Sequence, residues 1–309
     1  MAKYTPPPSL VIKPSGDRTG HAYRQGGHSH IGFLSTTGLL CWLIVAAVPF
    51  LWIAWGSFKV EADFFSKTDW RGVLTGSRTL AETGMRFTTD AYSGLWIEER
   101  FWRHAGYTLA LVSLTVIFSL TFGLPAAYAL SRSDSRFVGW FLLFALLCRA
   151  LPHVTLVTGF LPTFFVFGLW GSWPVAVIVL VAINQPFTLW LLYAFFRRVP
   201  RSIDESALLD GCTRLEAFRQ VVLPLMWPAI LTTALCSFLL AYNDFAVTGL
   251  LLSREQTTIV PATLQYLGTE FDGGKIMYAV AAVVSVTAPL LLVVWYFQRR
   301  LMRHTSPLM

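Results

Sequence analysis

Five stretches of this chain carry almost no formal charge, and each is long enough to cross a lipid bilayer. Leu34 to Phe58, Ala105 to Ser131 and Ile276 to Gln298 hold no Asp, Glu, Lys or Arg. Phe137 to Phe196 holds one, Arg149, and Gln220 to Ser253 holds one, Asp244. A hydrocarbon core of about 30 Å needs roughly 20 apolar residues in a helix, because every backbone N–H and C=O must find its partner within the segment. The stretch from 137 to 196 is too long for one crossing, and Gly168 with Gly171-Ser172-Trp173-Pro174 reads as the turn that splits it. The sequence therefore predicts an all-α integral membrane fold with six helices, near 34–57, 106–130, 138–161, 174–196, 227–251 and 276–298. The strict alternation of a barrel strand is missing from these runs.

Composition excludes other classes. Only 13% of the residues are charged and 55% are hydrophobic, whereas soluble domains are nearer a quarter charged. The net charge of +7 is scattered between apolar runs, which speaks against nucleic acid and for the positive-inside rule. With both termini in the cytoplasm, the cytoplasmic pieces collect Lys3, Lys13, Arg18, Arg24, Arg132, Arg136, Arg197, Arg198, Arg201, Arg214, Arg219, Arg299, Arg300 and Arg303. The short outer connections hold only Arg254 and Lys275. The large outer loop 58–104 is balanced in charge and is too long to count strongly. Residues 1–33, with Pro6-Pro7-Pro8, read as a disordered cytoplasmic tail, and 303–309 as a second one. The four cysteines have neither metal nor disulfide spacing. His21, His28 and His30 in the glycine-rich tail are read as incidental and not as metal ligands. The expectation is a multi-pass protein of the cytoplasmic (inner) membrane with its domain over 34–302.

The polar connection 197–224 is the most informative. Pro200 with Ser202 or Asp204 can open a helix, and Gly211 can take the positive φ that ends it. Thr213 and Glu216 have capping-box spacing for a second helix, and Pro224 and Pro228 mark re-entry to the bilayer. Shape alone allows a plain connector. The residues say more: Glu205-Ser206-Ala207, three residues, Gly211, nine residues, then Val221-x-Leu223-Pro224. This resembles the EAA loop of binding-protein-dependent ABC importer permeases, with Ser206 and Val221 as mild departures and Asp210 before the glycine also fitting. Ser57-Phe58-Lys59, Phe87-Thr88 with Tyr92, Ala126-Ala127-Tyr128-Ala129-Leu130-Ser131-Arg132 and Tyr242-Asn243-Asp244-Phe245 look like the sugar-permease branch. Gly106-Tyr107-Thr108 stands where that branch has an asparagine-serine pair. Arg299-Arg300-Leu301-Met302 replaces its glycine-rich tail.

The resemblance implies a non-catalytic permease subunit that forms a translocation path for a sugar or polyol. It implies a second, different permease chain in a heterodimer, two ATPase subunits that bind ATP and Mg, and an extracytoplasmic substrate-binding protein. The cytoplasmic helix-turn-helix would be the coupling loop, with Glu205, Ser206, Ala207, Asp210, Gly211, Leu223 and Pro224 as its signature. Polyamine permeases share the motif, and an ATP-independent transporter or channel is the alternative from another class. This chain shows no P-loop, no Gly-x-Ser-x-Gly, no His-Glu-x-x-His and no Cys-x-x-Cys.

Polar residues at membrane depth need a reason, since a charge there costs about 3 kcal/mol on insertion scales. Asn243, Asp244, Arg149, His153 and Asn184 are candidate path residues. Packing is the competing role: Asp244 could pair with Arg149, and Asn184-Gln185-Pro186 could kink the fourth span. Trp52, Trp55, Trp140, Trp170, Trp173 and Trp295 fall near predicted span ends and suit interfacial belts. The outer loop 253–275, with Thr257-Thr258-Ile259-Val260-Pro261 and Phe271-Asp272-Gly273-Gly274, is either a plain turn or a docking site for the binding protein.

Overall fold

A computed structural model describes residues 28–64, 71–253, 256–268 and 276–305. Among these the regular structure is helical throughout. The helices are α1 (His28–Gly56), α2 (Trp102–Arg132), α3 (Arg136–Ala150), α4 (His153–Val166), α5 (Trp173–Phe196) and α6 (Arg201–Leu209). They continue as α7 (Arg214–Leu225, with a π-helical stretch over Ala217–Val222), α8 (Trp227–Tyr242), α9 (Ala246–Leu251), α10 (Ile259–Gly268) and α11 (Ile276–Thr305). Four of them, α1 from Ser35, α2, α5 and α11, are long and apolar enough to span a membrane. The bent pairs α3–α4 and α7–α8 raise the number to as many as six.

Two expected spans are broken. The helix read over 138–161 turns by 82° between Ala150 and His153. Pro152 is the cause, because proline forces the preceding residue, Leu151, out of the helical region (φ −67°, ψ 139°). The helix read over 227–251 stops at Tyr242 and restarts at Ala246. In contrast, α5 passes through Asn184-Gln185-Pro186 as one helix. The tail expected over 1–33 lies outside the described residues up to 27, and its last six residues belong to α1.

The chain forms two units. In the first, residues 1–51, the described side chains of α1 are nearly all exposed, with Leu39, Trp42, Ile44 and Leu51 among them. In the second, residues 52–309, α2 and α5 pack along each other. Small residues of α2, Thr108, Thr115, Ser119, Gly123 and Ala127, recur at helical spacing and lie buried, and at Gly123 a Cβ would meet Gln185, Thr188 and Leu192 of α5. Small side chains let apolar helices come close where the hydrophobic effect gives no drive between them.

The core gathers in three clusters. One holds Leu95, Phe101, Val112, Tyr242, Ile259 and Ala281. A second holds Leu111, Val157, Leu180, Val247 and Leu251. The hairpin end holds Ala127, Leu142, Leu192, Phe196, Phe218 and Met226. Tyr242 Oη donates to the Val286 carbonyl at 2.9 Å, and the Ile259 N–H donates to Thr108 Oγ1 at 2.8 Å, so α8 is tied to α11 and α10 to α2.

The described residues of the connection 58–104 fold into short helices around two buried charges. Lys59 is 1% exposed, and its Nζ donates to the Arg86 carbonyl at 2.5 Å and lies 3.9 Å from the Phe87 ring centroid. Asp63, also 1% exposed, accepts from the backbone N–H groups of Arg78 (3.2 Å) and Thr79 (2.7 Å) and from Thr79 Oγ1 (2.7 Å). Gly76 sits at φ +62°, where a Cβ would press on Lys59 Nζ and the Arg86 carbonyl, so only glycine fits. Burial lowers the pKa of Lys59; Asp63 draws it back and Arg86 lowers it further. Burial raises that of Asp63, but the hydrogen bonds from Thr79 and Arg78 together with Lys59 outweigh this and hold it below the usual value.

Candidate functional site

The segment between α5 and α8 takes the helix-turn-helix form that its spacing predicts. Pro200 precedes α6 with φ −58° and ψ 140°. Gly211 ends it at φ +90°, in the left-handed region that side chains avoid. The Thr213–Glu216 capping box is complete: Glu216 Oε2 accepts from the Thr213 N–H at 2.7 Å, and Thr213 Oγ1 accepts from the Glu216 N–H at 3.3 Å. These bonds lower the Glu216 carboxyl pKa, first through the Thr213 backbone and then through its side chain.

Within this hairpin the motif residues face two ways. Glu205, Ser206, Asp210, Gly211 and Pro224 are exposed, Leu223 is half-buried, and Ala207 is buried. Leu209 is 88% exposed and Leu215 56% exposed, a large apolar area for a polar connection to leave in water. The opposite face is seated. The Phe218 ring packs at a tilt against Tyr128, with centroids 4.7 Å apart, and against Phe196 at 6.3 Å.

Three polar residues that the motif does not contain hold the hairpin in place. Tyr128 Oη donates to Asp204 Oδ1 at 2.5 Å. Arg132 Nη2 lies 2.7 Å from Asp204 Oδ2, a close ion pair whose angle is poor for a hydrogen bond. Arg132 Nη1 donates to the Val199 carbonyl at 3.0 Å and to that of Phe196 at 3.3 Å. A second tie lies at the surface, where Arg201 grips Asp134 with both nitrogens at 2.6 and 2.7 Å. That fork lowers the Asp134 carboxyl pKa. Tyr128 and Arg132 stand four residues apart on one helix face, within the 126–132 stretch that resembles the sugar-permease branch.

The membrane-depth residues assemble in part. His153 Nδ1 lies 3.3 Å from Asp244 Oδ2, across the breaks that follow α3 and α8. Asp244 is therefore not mid-helix: its Oδ1 accepts from the Val247 N–H at 2.9 Å and satisfies the start of α9. Arg149 makes no ion-pair contact with Asp244, although that carboxylate acts on it electrostatically; its Nη1 donates to the Ile183 carbonyl at 3.1 Å. Arg149 and His153 line a cavity of about 280 Å³ with Cys148, Phe160, Phe164 and Pro186. Asn243 is exposed and turned back on the Leu239 carbonyl at 2.8 Å, and Asn184 is 3% exposed within α5.

Of the aromatic belt, Trp55, Trp140, Trp170 and Trp295 are exposed. The indole N–H of Trp55 donates to the Val73 carbonyl and that of Trp170 to the Leu250 carbonyl. In the loop 253–275, Thr257 and Thr258 are buried and Ile259 opens α10, so this part is a packed helix start and not a plain turn. Phe271-Asp272-Gly273-Gly274 lies outside the described residues. Among those described, no three His, Cys, Asp or Glu side chains gather as a metal site.

Four helices long and apolar enough to cross a membrane, two bent pairs that raise the number to as many as six, and a firmly seated polar hairpin define a multi-pass membrane protein. Residues 119–306 match the family described as binding-protein-dependent transport system inner membrane component, and the chain belongs to that family. It is 27% identical over 275 residues to the diacetylchitobiose uptake system permease NgcG of Streptomyces coelicolor, covering 87% of this chain and 85% of that one. It is 30% identical over 218 residues to the trehalose transport system permease SugB of Mycobacterium tuberculosis (69% and 78%). To the trehalose/maltose permease MalG of Thermococcus litoralis it is 28% identical over 266 residues (85% and 90%). The fold is similar to a chain of a bacterial ABC transporter involved in the import of alginate. There the TM-score is 0.67 at 20% identity, over 87% of this chain and 95% of the other.

Proposed function

We propose that this chain is the permease subunit of an ATP-driven importer in the cytoplasmic membrane, and that its cargo is a sugar or polyol. Six spans with both termini in the cytoplasm fit the distribution of Lys and Arg. The chain itself is non-catalytic. It pairs with a second, different permease, receives solute from an extracytoplasmic binding protein, and is driven by two ATPase subunits that hold ATP and Mg.

The observation that carries this reading is the hairpin: it is seated on one face and exposes Glu205, Leu209, Asp210 and Leu215 on the other. An exposed carboxylate beside exposed leucines suits a partner that offers a basic residue and an apolar cleft. The relatives named for diacetylchitobiose, trehalose and maltose support the solute class. The proposed path passes Arg149, His153 and Asp244 beside the helix breaks, with Asn243 at the end of α8 and Asn184 within the unbroken α5.

Cross-linking from positions 205 and 209 in native membranes tests the reading. Capture of an ATP-hydrolysing subunit is the expected result. Nucleotide-independent solute movement by the purified chain alone would overturn it.

A further inference from the structure

Arg132 occupies a junction that the hairpin motif does not explain. It ends α2, its Nη1 donates to the carbonyls of Phe196 and Val199 at the close of α5, and its Nη2 meets Asp204 in the first turn of α6. One guanidinium thus joins three helix ends. Tyr128, one turn earlier on α2, holds the other oxygen of the same carboxylate, and its ring packs on Phe218. The Arg132 side chain is 16% exposed and that of Asp204 13%, so water competes weakly for either. The orphaned carbonyls at the end of a helix accept well from a cation, and only a planar, multi-donor group reaches two carbonyls and a carboxylate at once. Lysine, with one compact ammonium, cannot span them.

We infer that Arg132, with Tyr128 and Asp204, is a positioning residue of coupling: it makes α6 move with the ends of α2 and α5. A push on the exposed face of the hairpin then enters the two most closely packed helices directly, instead of bending the connection at Val199-Pro200. This inference rests on the reading of the hairpin as the ATPase contact. Without the junction the hairpin would still dock, but its displacement would be absorbed locally.

Two native cysteines allow a test that needs no knowledge of the solute. Cys212 lies in the hairpin turn and is partly exposed; Cys148 lines the cavity beside Arg149. In the assembled complex, with Cys41 and Cys236 replaced by serine, maleimide labelling of Cys212 reports docking. Labelling of Cys148 with and without ATP and vanadate reports the movement. For the parent we expect Cys212 to be protected and the Cys148 rate to change about threefold or more with nucleotide. For Arg132→Lys we expect the same protection of Cys212 and a Cys148 rate that ignores nucleotide. Tyr128→Phe should show a smaller loss of response, and it serves also where Arg132→Lys fails to accumulate. Arg136→Lys, a nearby exposed arginine, should behave as the parent. A full nucleotide response in both Arg132→Lys and Tyr128→Phe would overturn the inference. So would loss of Cys212 protection in step with the Cys148 response, since the residues would then only hold the hairpin's shape. A parent complex in which Cys212 is never protected would instead overturn the hairpin reading itself.

Discussion

The hairpin 197–224 and the loop 58–104 are both polar connections between apolar helices, yet they use charge in opposite ways. The hairpin leaves Glu205, Asp210, Arg214 and Glu216 in solvent and places its ties, Asp204 with Arg132 and Asp134 with Arg201, at its root. The loop buries Lys59 and Asp63 at 1% exposure and folds around them. A buried charge has to be paid for with hydrogen bonds, so the loop is specified from within. An exposed one is free for a partner, so the hairpin's surface is specified from outside.

The largest effect that tests this contrast comes from Asp63→Ala. It would leave the Arg78 and Thr79 donors unanswered and the Lys59 ammonium buried without its nearby carboxylate. Breaking such an arrangement costs about 3–5 kcal/mol. The loop should become open to protease in right-side-out vesicles. A loop as resistant as the parent's would break the comparison.

Acid should act in the same direction. The Asp63 carboxyl has a lowered pKa in the folded loop. Its contribution is therefore present above the ordinary carboxylate value of about 3.9 and is lost as pH falls through the lowered one. Glu216 on the hairpin is lowered too, but it lies in solvent. Acid sensitivity of the loop should be the larger, because Glu216 gives up only solvent-exposed hydrogen bonds to Thr213. Protease protection measured against pH separates them, and Asp63→Asn should flatten the loop's curve.

A smaller change in stability, but a large one in coupling, is expected of Gly211→Val. The position is at φ +90°, and nothing within 4 Å would meet a Cβ, so the strain is in the backbone alone. A β-branched residue there costs about 1–2 kcal/mol or more and would re-aim the second half of the hairpin. The protein should reach the membrane at normal levels while solute moved per ATP hydrolysed falls about tenfold. Unchanged transport would count against the hairpin's role.

The smallest effect on the fold should come from Leu209→Ser. An exposed substitution of this kind lies within about 0.5 kcal/mol of neutral. Thermal stability should be unaltered, while less ATPase subunit co-purifies. Undiminished co-purification would show that this leucine is not part of the contact.

The same contrast shows what could be read in advance. The hairpin was legible residue by residue, because helix starts, a glycine stop and a capping box are local: each needs only neighbours within four positions. The junction that seats it was not, because Tyr128 and Asp204 are 76 residues apart. At membrane depth the residue types were legible and their pairing was not. Arg149 and Asp244 are the two charges of their apolar stretches, but the bend after Leu151-Pro152 brings His153 to Asp244 and leaves Arg149 on the Ile183 carbonyl.

By itself the sequence determined that the chain is a helical membrane protein, where most apolar helices lie, and that a capped, glycine-turned hairpin interrupts them. Those features follow from hydropathy and backbone conformation, which act over a few residues at a time. Only the tertiary structure decided where two spans break, that Lys59 and Asp63 are buried, and that one arginine unites three helix ends. These outcomes depend on which distant groups meet in the absence of water, and a polar group removed from water takes whichever partner the packing brings within reach.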